Sequence, residues 1–282
     1  MKSMTDTTPA RNGVPGAVLW DLDGTLIDSA PYHWFAWREV MAAAGHPLHP
    51  RDFADSFGKR NDTILRGLLG PDVPLDLIQQ MSDDKEARYR RYVRERGLAF
   101  LPGAEQWLGR LREAGWKQAL ASSAPPENID SSFEALDLRR YLDAVVSAEE
   151  VGKGKPDPAI FLRAAERLGI APSRCVVVED APAGLEGARR AGMKCVGVLS
   201  SHFAELVADL VVPSLEALPA RAFHDLLRRP LNKGINLHPI AGRAGVSSTG
   251  GASASPGTSR SPDPSLPIRC PIPRPGPRSR RR

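Results

Sequence analysis

The sequence predicts an α/β fold: a parallel sheet with helices on both faces, and an α-helical cap inserted after the first strand. Three observations carry that prediction. Short apolar runs of three to seven residues alternate with longer amphipathic stretches from residue 16 to residue 212, the pattern of strands joined by crossover helices. Two of the runs end in paired acids, which places charge at the C-terminal ends of strands, where open α/β sheets bind ligands. Residues 31–97 break the alternation, with several helical stretches and no convincing strand.

The strands follow in order. Residues 16–22 (GAVLWDL) form a short apolar run ending in acids and read as a buried first strand. Residues 116–121, 144–147, 174–178 and 194–199 (WKQALA, AVVS, RCVVV, KCVGVL) give four more, and residues 210–212 add a last short one. Continuous apolar runs of this length suit strands covered on both faces. Helices are expected at 103–114, 125–136, 158–168 and 183–191, with Gly115, Gly169 and Gly192 placed where a helix C-terminal glycine belongs. The core therefore takes residues 15–30 and 99–220, and the cap takes 31–98. Tyr32, Trp34, Phe35 and Trp37 put four aromatics into six positions and are expected to fill the cap interior. Residues 1–14 read as a flexible N-terminus. Residues 221–282 read as a terminal helix remnant followed by a disordered tail.

Composition bounds the function. The chain has 282 residues, 41% hydrophobic and 25% charged, with a mean hydropathy of −0.29. Those values fit a soluble protein with a sizeable core and exclude a wholly disordered chain, a collagen and a disulfide scaffold. No apolar run reaches membrane-spanning length, and the first residues lack a signal-like apolar stretch. Cys175, Cys195 and Cys270 show no paired or metal-type spacing, which fits idle thiols in a reducing cytoplasm. The net charge of +5 is uneven: residues 230–282 hold nine basic residues and one acid, leaving the body at −3. That tail also holds ten prolines and no aromatic residue, a composition that cannot bury enough apolar surface to offset ordering. Its ending Arg280, Arg281, Arg282 offers charge to a nucleic acid. No base-reading module accompanies it, so the expected partner is a small molecule, with no membrane, and only the basic tail speaks for nucleic acid.

Four stations carry chemistry. Asp21-Leu22-Asp23-Gly24-Thr25 follows the first strand, and two acids spaced i, i+2 there are costly without a cation or substrate to use them. Gly24 allows a sharp turn. Glu179-Asp180 ends the 174–178 strand in the same way; carboxylates from two strand ends, brought together, make a hard oxygen site suited to Mg²⁺. Ser122 follows the WKQALA strand with a hydroxyl able to donate to an anion, and Lys155 precedes the helix near Pro158, where it can neutralise one. The glycines around Lys155 do not make a phosphate-binding Walker loop. Taken singly, each station also has a plain structural reading: helix-capping acids, loop acids, or a solvated lysine.

In this order the stations resemble the haloacid dehalogenase-like hydrolase superfamily, in the branch with a helical cap after the first motif. That branch includes phosphoglycolate-phosphatase-like and β-phosphoglucomutase-like proteins, and the resemblance covers roughly residues 15–220. It implies a Rossmann-like core and the following roles. Asp21 is the nucleophile that forms an aspartyl-phosphate, and Asp23 is the acid/base, whose backbone carbonyl also ligates Mg²⁺. Ser122 and Lys155 hold the transferring phosphoryl group. Asp180 is a Mg²⁺ ligand supported by Glu179. His33 resembles a cap-linker histidine that orients Asp23 or touches a sugar hydroxyl. Arg60 resembles a cap arginine that holds a second phosphate in mutases, and Lys85 falls near a cap lysine of the same group. A solvated cap face also accounts for Lys59, Arg60 and Lys85.

One departure separates the two activities. After the serine of the second motif, β-phosphoglucomutases present a lysine and an asparagine to the distal phosphate; here the stretch is Ser123-Ala124-Pro125-Pro126. Alanine and proline side chains donate no hydrogen bond. The expectation is therefore a Mg²⁺-dependent phosphohydrolase acting on a small phosphomonoester, a sugar phosphate or a phosphoglycolate-like metabolite. The alternatives are a β-phosphoglucomutase-like phosphomutase and, from another class, a non-catalytic binding module with a nucleic-acid-recruiting tail.

Overall fold

A computed structural model describes residues 14–56, 58–200 and 205–229. The expected loose N-terminus up to residue 13, the expected disordered tail from residue 230, Cys270 and the triple-arginine ending lie outside the described residues.

Six parallel strands form one sheet: β1 (Ala17–Trp20), β2 (Lys117–Ser122), β3 (Ala144–Ser147), β4 (Cys175–Glu179), β5 (Lys194–Val198) and β6 (Leu210–Val212), in the order β3-β2-β1-β4-β5-β6. Each expected strand is present. The first is shorter than its apolar run because the backbone turns at Leu22, whose carbonyl accepts from the amides of Leu26 and Ile27, with Gly24 at φ +85°. β1 lies at the centre, pairing Trp20 with Leu120 on one side and with Val178 on the other. The ends of β2 and β4 are thereby brought level with the loop that carries Asp21.

Strand alternation sends successive β1 side chains to opposite faces. Val18 and Trp20 pack with Trp107, Trp116 and Phe223, whereas Ala17 and Leu19 pack with Phe161 and Leu185. All four β1 residues are fully buried, which is why the run is continuously apolar. The covering helices are numbered with those of the cap in chain order.

Between β1 and β2 come α1 (Ala30–Ala43), α2 (Pro50–Ser56), α3 (Asn61–Leu69) and α4 (Leu75–Arg96), then α5 (Ala104–Glu113), which belongs to the core. After β2 come α6 (Pro126–Ala135), α7 (Ala148–Val151), α8 (Ala159–Leu168), α9 (Pro182–Arg190) and α10 (Ala222–Arg228). The first four form the cap and enclose their own apolar clusters. Trp37, Val40, Leu65 and Met81 make one, with Trp34 against it; Tyr89, Tyr92 and Val93 make another, with Tyr32 and Phe35 against it. The aromatic stretch thus fills the cap interior. The long α4 lies against α6 of the core.

The end of the core needs a correction. A boundary at residue 221 assigns α10 to the tail, but Phe223 and Leu226 are buried in the core cluster and Phe223 meets Trp20 and Trp107 edge to face. A helix of seven residues is too short to show a periodic pattern, so its core role comes from tertiary contacts alone. Cys175 and Cys195 are buried free thiols. Among the described residues no helix is long and apolar enough to cross a membrane.

Candidate active site

At the C-terminal ends of the central strands the loops bring together four of the expected residues. Lys155 Nζ lies 2.5 Å from Asp21 Oδ1 and 2.7 Å from Glu179 Oε1. Ligand oxygens of Asp21, Glu179 and Asp180 lie within 4.8 Å of one another, and all three residues are buried. Backbone geometry fixes the arrangement. The Asp21 amide donates to the Val178 carbonyl at 3.0 Å, tying the first motif to β4. Glu179 Oε2 accepts from the Ala181 amide at 2.6 Å, and Thr25 Oγ1 donates to Asp180 Oδ1 at 3.3 Å.

The electrostatics follow from counting charges. Three buried acids gather here, and the Lys155 ammonium is shared between two of them, Asp21 and Glu179. Burial pushes the Asp21 carboxyl up to about 7; Lys155 draws it down, and Glu179 and Asp23 add to the rise. Burial works against the charge on Lys155, yet Asp21 and Glu179 hold its proton more firmly than usual. An all-oxygen, anionic, buried donor set of this kind fits a hard divalent cation. Asp23 offers no side-chain oxygen to the group.

Asp23 belongs to a second system. Its Oδ1 accepts from Ser29 Oγ at 2.5 Å and lies 3.2 Å from His33 Nε2. His33 Nδ1 lies 2.9 Å from Lys85 Nζ. Burial disfavours the Asp23 charge, but His33, Ser29 and Lys85 together hold its carboxyl below the ordinary range. Tyr89 stacks on the His33 ring at 4.1 Å. Burial and the Asp23 charge push its phenol well up. Lys85 is only 3% exposed, so a solvated cap face does not describe it. Lys59 is exposed, as that reading has it.

A cavity of about 480 Å³ opens beside Asp23 between cap and core. Arg60 lines it but does not join the cluster around Lys155. Its Nε donates to Asp62 Oδ1 at 3.2 Å. Its stem crosses the loop before Lys155, where a Cβ on Gly154 would lie 2.7 Å from Arg60 Cδ. Ser122 is buried at the end of β2, and its Oγ accepts from the Ala124 amide at 3.1 Å, so its hydroxyl proton is available to donate.

The sequence reading missed several residues at the site. Thr25 lies inside the first motif and could have been found there. Ser29, Asn61, Glu86 and Asn128 carry no local signal. Ser123 also lines the cavity, and its hydroxyl is buried without a hydrogen-bond partner, a condition that calls for a ligand or a water to satisfy it.

Residues 15–192 match the haloacid dehalogenase-like hydrolases as a family. A phosphorylated carbohydrates phosphatase of Thermotoga maritima is 31% identical over 190 residues, which is 66% of this chain and 86% of that protein. The β-phosphoglucomutase of Bacillus subtilis is 32% identical over 216 residues, covering 74% and 94%. The crystal structure of CbbY from Rhodobacter sphaeroides in complex with phosphate superposes with a TM-score of 0.68 at 26% identity, covering 76% of this chain and all of that one. With the capped parallel sheet and the acid-lined strand ends in place, the chain belongs to the haloacid dehalogenase-like hydrolase family.

Proposed function

We propose that the chain is a Mg²⁺-dependent phosphatase of a small phosphomonoester, a sugar phosphate or a metabolite of similar size, working through an aspartyl-phosphate on Asp21. The observation that carries this reading is the Lys155 ammonium held between Asp21 and Glu179 in a buried cluster of acids that Asp180 completes. Asp21, Asp180 and the Asp23 carbonyl would hold Mg²⁺, with Glu179 in support. When bound, the ion compensates charge on the phosphoryl oxygens and on the carboxylates around it.

The residues of the chain supply the rest. Asp21 attacks phosphorus, forming a new P–O bond as the ester P–O bond breaks. Asp23, ionised in the free site, takes up a proton carried in by the phosphomonoester monoanion, gives it to the departing alkoxide and later takes one from the water that cleaves the aspartyl-phosphate. Ser29 and His33 both engage Oδ1 of Asp23, which assigns the proton to Oδ2. Lys155 and the Ser122 hydroxyl meet the equatorial oxygens, where charge sits in a loose phosphoryl-transfer transition state. The unpartnered Ser123 hydroxyl suits another substrate oxygen. The cap, at residues 31–98, selects the leaving group and excludes bulk water.

A mutase is the second reading. Arg60 in the cavity wall favours it, as does the likeness to a protein named β-phosphoglucomutase. Against it, Arg60 is engaged by Asp62, the neighbouring wall is Ala124 and Pro125, and Glu127 and Glu149 also line the cavity. The four basic side chains of the lining, Lys59, Arg60, Lys85 and Arg90, share it with six acids, so a second phosphate would meet no net positive charge there.

The test is phosphate release from hexose 1- and 6-phosphates, hexitol phosphates and phosphoglycolate, with Mg²⁺ and with EDTA, while NMR follows isomers. Mg²⁺-dependent release that disappears in Asp21→Asn is the expected result. An isomer without free phosphate overturns the phosphatase in favour of the mutase. Full turnover in EDTA or in Asp21→Asn overturns the mechanism.

A further inference from the structure

We propose that Asn128 and Glu86 form a latch that closes the cap on the core and, by closing, positions the proton-transfer group Asp23; the second half of this rests on the function proposed above. Asn128 stands on core helix α6 and is 1% exposed; Glu86 stands on cap helix α4 and is 6% exposed. The Asn128 amide is gripped at both ends by cap residues one helical turn apart. Its Nδ2 donates to Glu86 Oε2 at 2.5 Å, and its Oδ1 accepts from Arg90 Nη1 at 3.1 Å. Chemistry fixes that orientation, since only the NH₂ end can face a carboxylate and only the carbonyl end can face a guanidinium.

The other Glu86 oxygen continues the chain. Oε1 accepts from Asn61 Nδ2 at 2.7 Å and from Lys85 Nζ at 2.9 Å. Lys85 in turn lies 2.9 Å from His33 Nδ1. An ammonium only donates, so His33 Nδ1 accepts and the ring proton sits on Nε2, aimed at Asp23 Oδ1 3.2 Å away. The bonds therefore link a core amide, through three cap side chains, to a core carboxylate: Glu86 accepts from Asn128 and Lys85, and Lys85 donates onward to His33.

Breaking the latch unseats α4 from α6 and lets Lys85 and His33 leave Asp23. A buried carboxylate that loses its core partner has no apolar substitute, so closure and positioning fail together. Asn128 and Glu86 line the cavity, but their polar atoms are engaged by each other and by Arg90, Asn61 and Lys85. They are positioning residues.

The experiment compares the full chain with Asn128→Ala, Glu86→Gln and the double variant, in two arms. In the first, amide hydrogen exchange without substrate is followed across residues 84–93 and 126–135. Latch loss is expected to speed exchange there by about tenfold or more in each variant, the scale of one lost buried charge-assisted hydrogen bond. In the second, kcat/KM is measured on a hexose 6-phosphate and on p-nitrophenyl phosphate. The alkyl ester needs its leaving oxygen protonated and is expected to lose roughly ten- to hundredfold, whereas the aryl ester, whose leaving group departs unprotonated, loses much less. The double variant should lose no more than the worse single one.

Unchanged exchange in both helices overturns the latch. An equal loss on both esters, or additive losses in the double variant, overturns the positioning role. If Glu86→Gln does not fold, Arg90→Met replaces it, because Arg90 is only partly buried and grips the same amide. A wild-type chain that releases no phosphate from any ester defeats the proposed function, and the exchange arm still decides the latch.

Discussion

Replacing Gly184 by alanine tests whether the site is built as tightly as its geometry implies. Gly184 lies in the first turn of α9, beneath the Glu179 side chain, and a Cβ there would sit 1.8 Å from Glu179 Oε1 and 2.1 Å from its Cδ. Nonbonded heavy atoms settle at roughly 3.5 Å, so the carboxylate must shift by more than about 1 Å. That shift breaks the bonds to Lys155 Nζ (2.7 Å) and to the Ala181 amide (2.6 Å). Each is charge-assisted and worth about 1.5–3 kcal/mol, so the loss is about 3–6 kcal/mol. Alanine returns at most about 1 kcal/mol through its higher helix propensity, giving a net destabilisation of about 2–5 kcal/mol. Urea unfolding in EDTA measures it, and phosphate release reports the accompanying loss of Lys155 placement. Gly67→Ala in α3 is the control: nothing lies within 4 Å of its Cβ position, so it should gain a few tenths to about 1 kcal/mol. A Gly184→Ala protein within about 1 kcal/mol of the wild type and fully active refutes the reasoning, because Glu179 would then not be pinned where it is needed.

Three further outcomes follow from the charges. Mg²⁺ should raise the melting temperature by several degrees, since an ion at about 100 times its Kd adds about 2.7 kcal/mol; Asp180→Asn should remove most of the shift, and a wild type indifferent to Mg²⁺ counts against the metal. Lys155→Ala should cost about 3–5 kcal/mol, as one partner of a buried pair is lost. Burial already raises Asp21 to about 7 in the folded state, and losing Lys155 removes the main influence lowering it. A raised carboxyl favours folding below its unfolded value of 3.8 and loses that advantage as pH climbs through the folded one. The deficit of the variant should therefore be larger at pH 8 than at pH 6, and the reverse order is incompatible with this account. Glu86 behaves oppositely. Burial would raise it, but Lys85, His33 and Asn61 hold it below its usual 4.5, so its stabilisation is present above that value and fades as pH falls through the folded one. Unfolding between pH 5 and pH 3 should be steeper for the wild type than for Glu86→Gln.

The strand ends were legible because they concentrate conflicting demands in a few residues. A run such as RCVVV followed by Glu179-Asp180 joins β-branched burial to two charges, and few arrangements other than a strand entering a site accommodate both. The cap was legible as a place where strands stop. Its polar interior was not. Lys85 and Glu86 sit in LDLIQQMSDDKEARYRRYVRER, where half of the residues are charged, and nothing local marks which two of those charges turn inward. Their burial depends on α4 meeting α6, a contact between residues about 40 positions apart. Asn128 was hidden for the same reason: the prolines at 125 and 126 announce a helix start, while the asparagine after them has no meaning until Glu86 arrives. Arg60 was visible as a cavity residue, but its engagement with Asp62, two residues away, became clear only from the loop geometry.

These two hydrogen-bond systems divide the site in a way that bears on how it works. Asp21, Lys155 and Asp180 stand on loops of the core sheet and Glu179 ends β4, and the bonds among them cross no cap residue. Asp23 also stands on the core, yet it is held by His33 from α1 and, through Lys85, by α4. On the proposed reading, the groups that bind and attack phosphorus are preorganised by the rigid sheet whether or not the cap is seated. The group that moves the proton is complete only when it is. Opening the cap to release product would then leave the phosphoryl site intact while disarming Asp23, which limits activation of stray water at the moment when bulk solvent can enter. A site whose nucleophile and acid/base were both fixed by the core would have no such separation. Its leaving-group dependence would be insensitive to every substitution on the cap, which is the behaviour that the Asn128 and Glu86 variants are expected not to show.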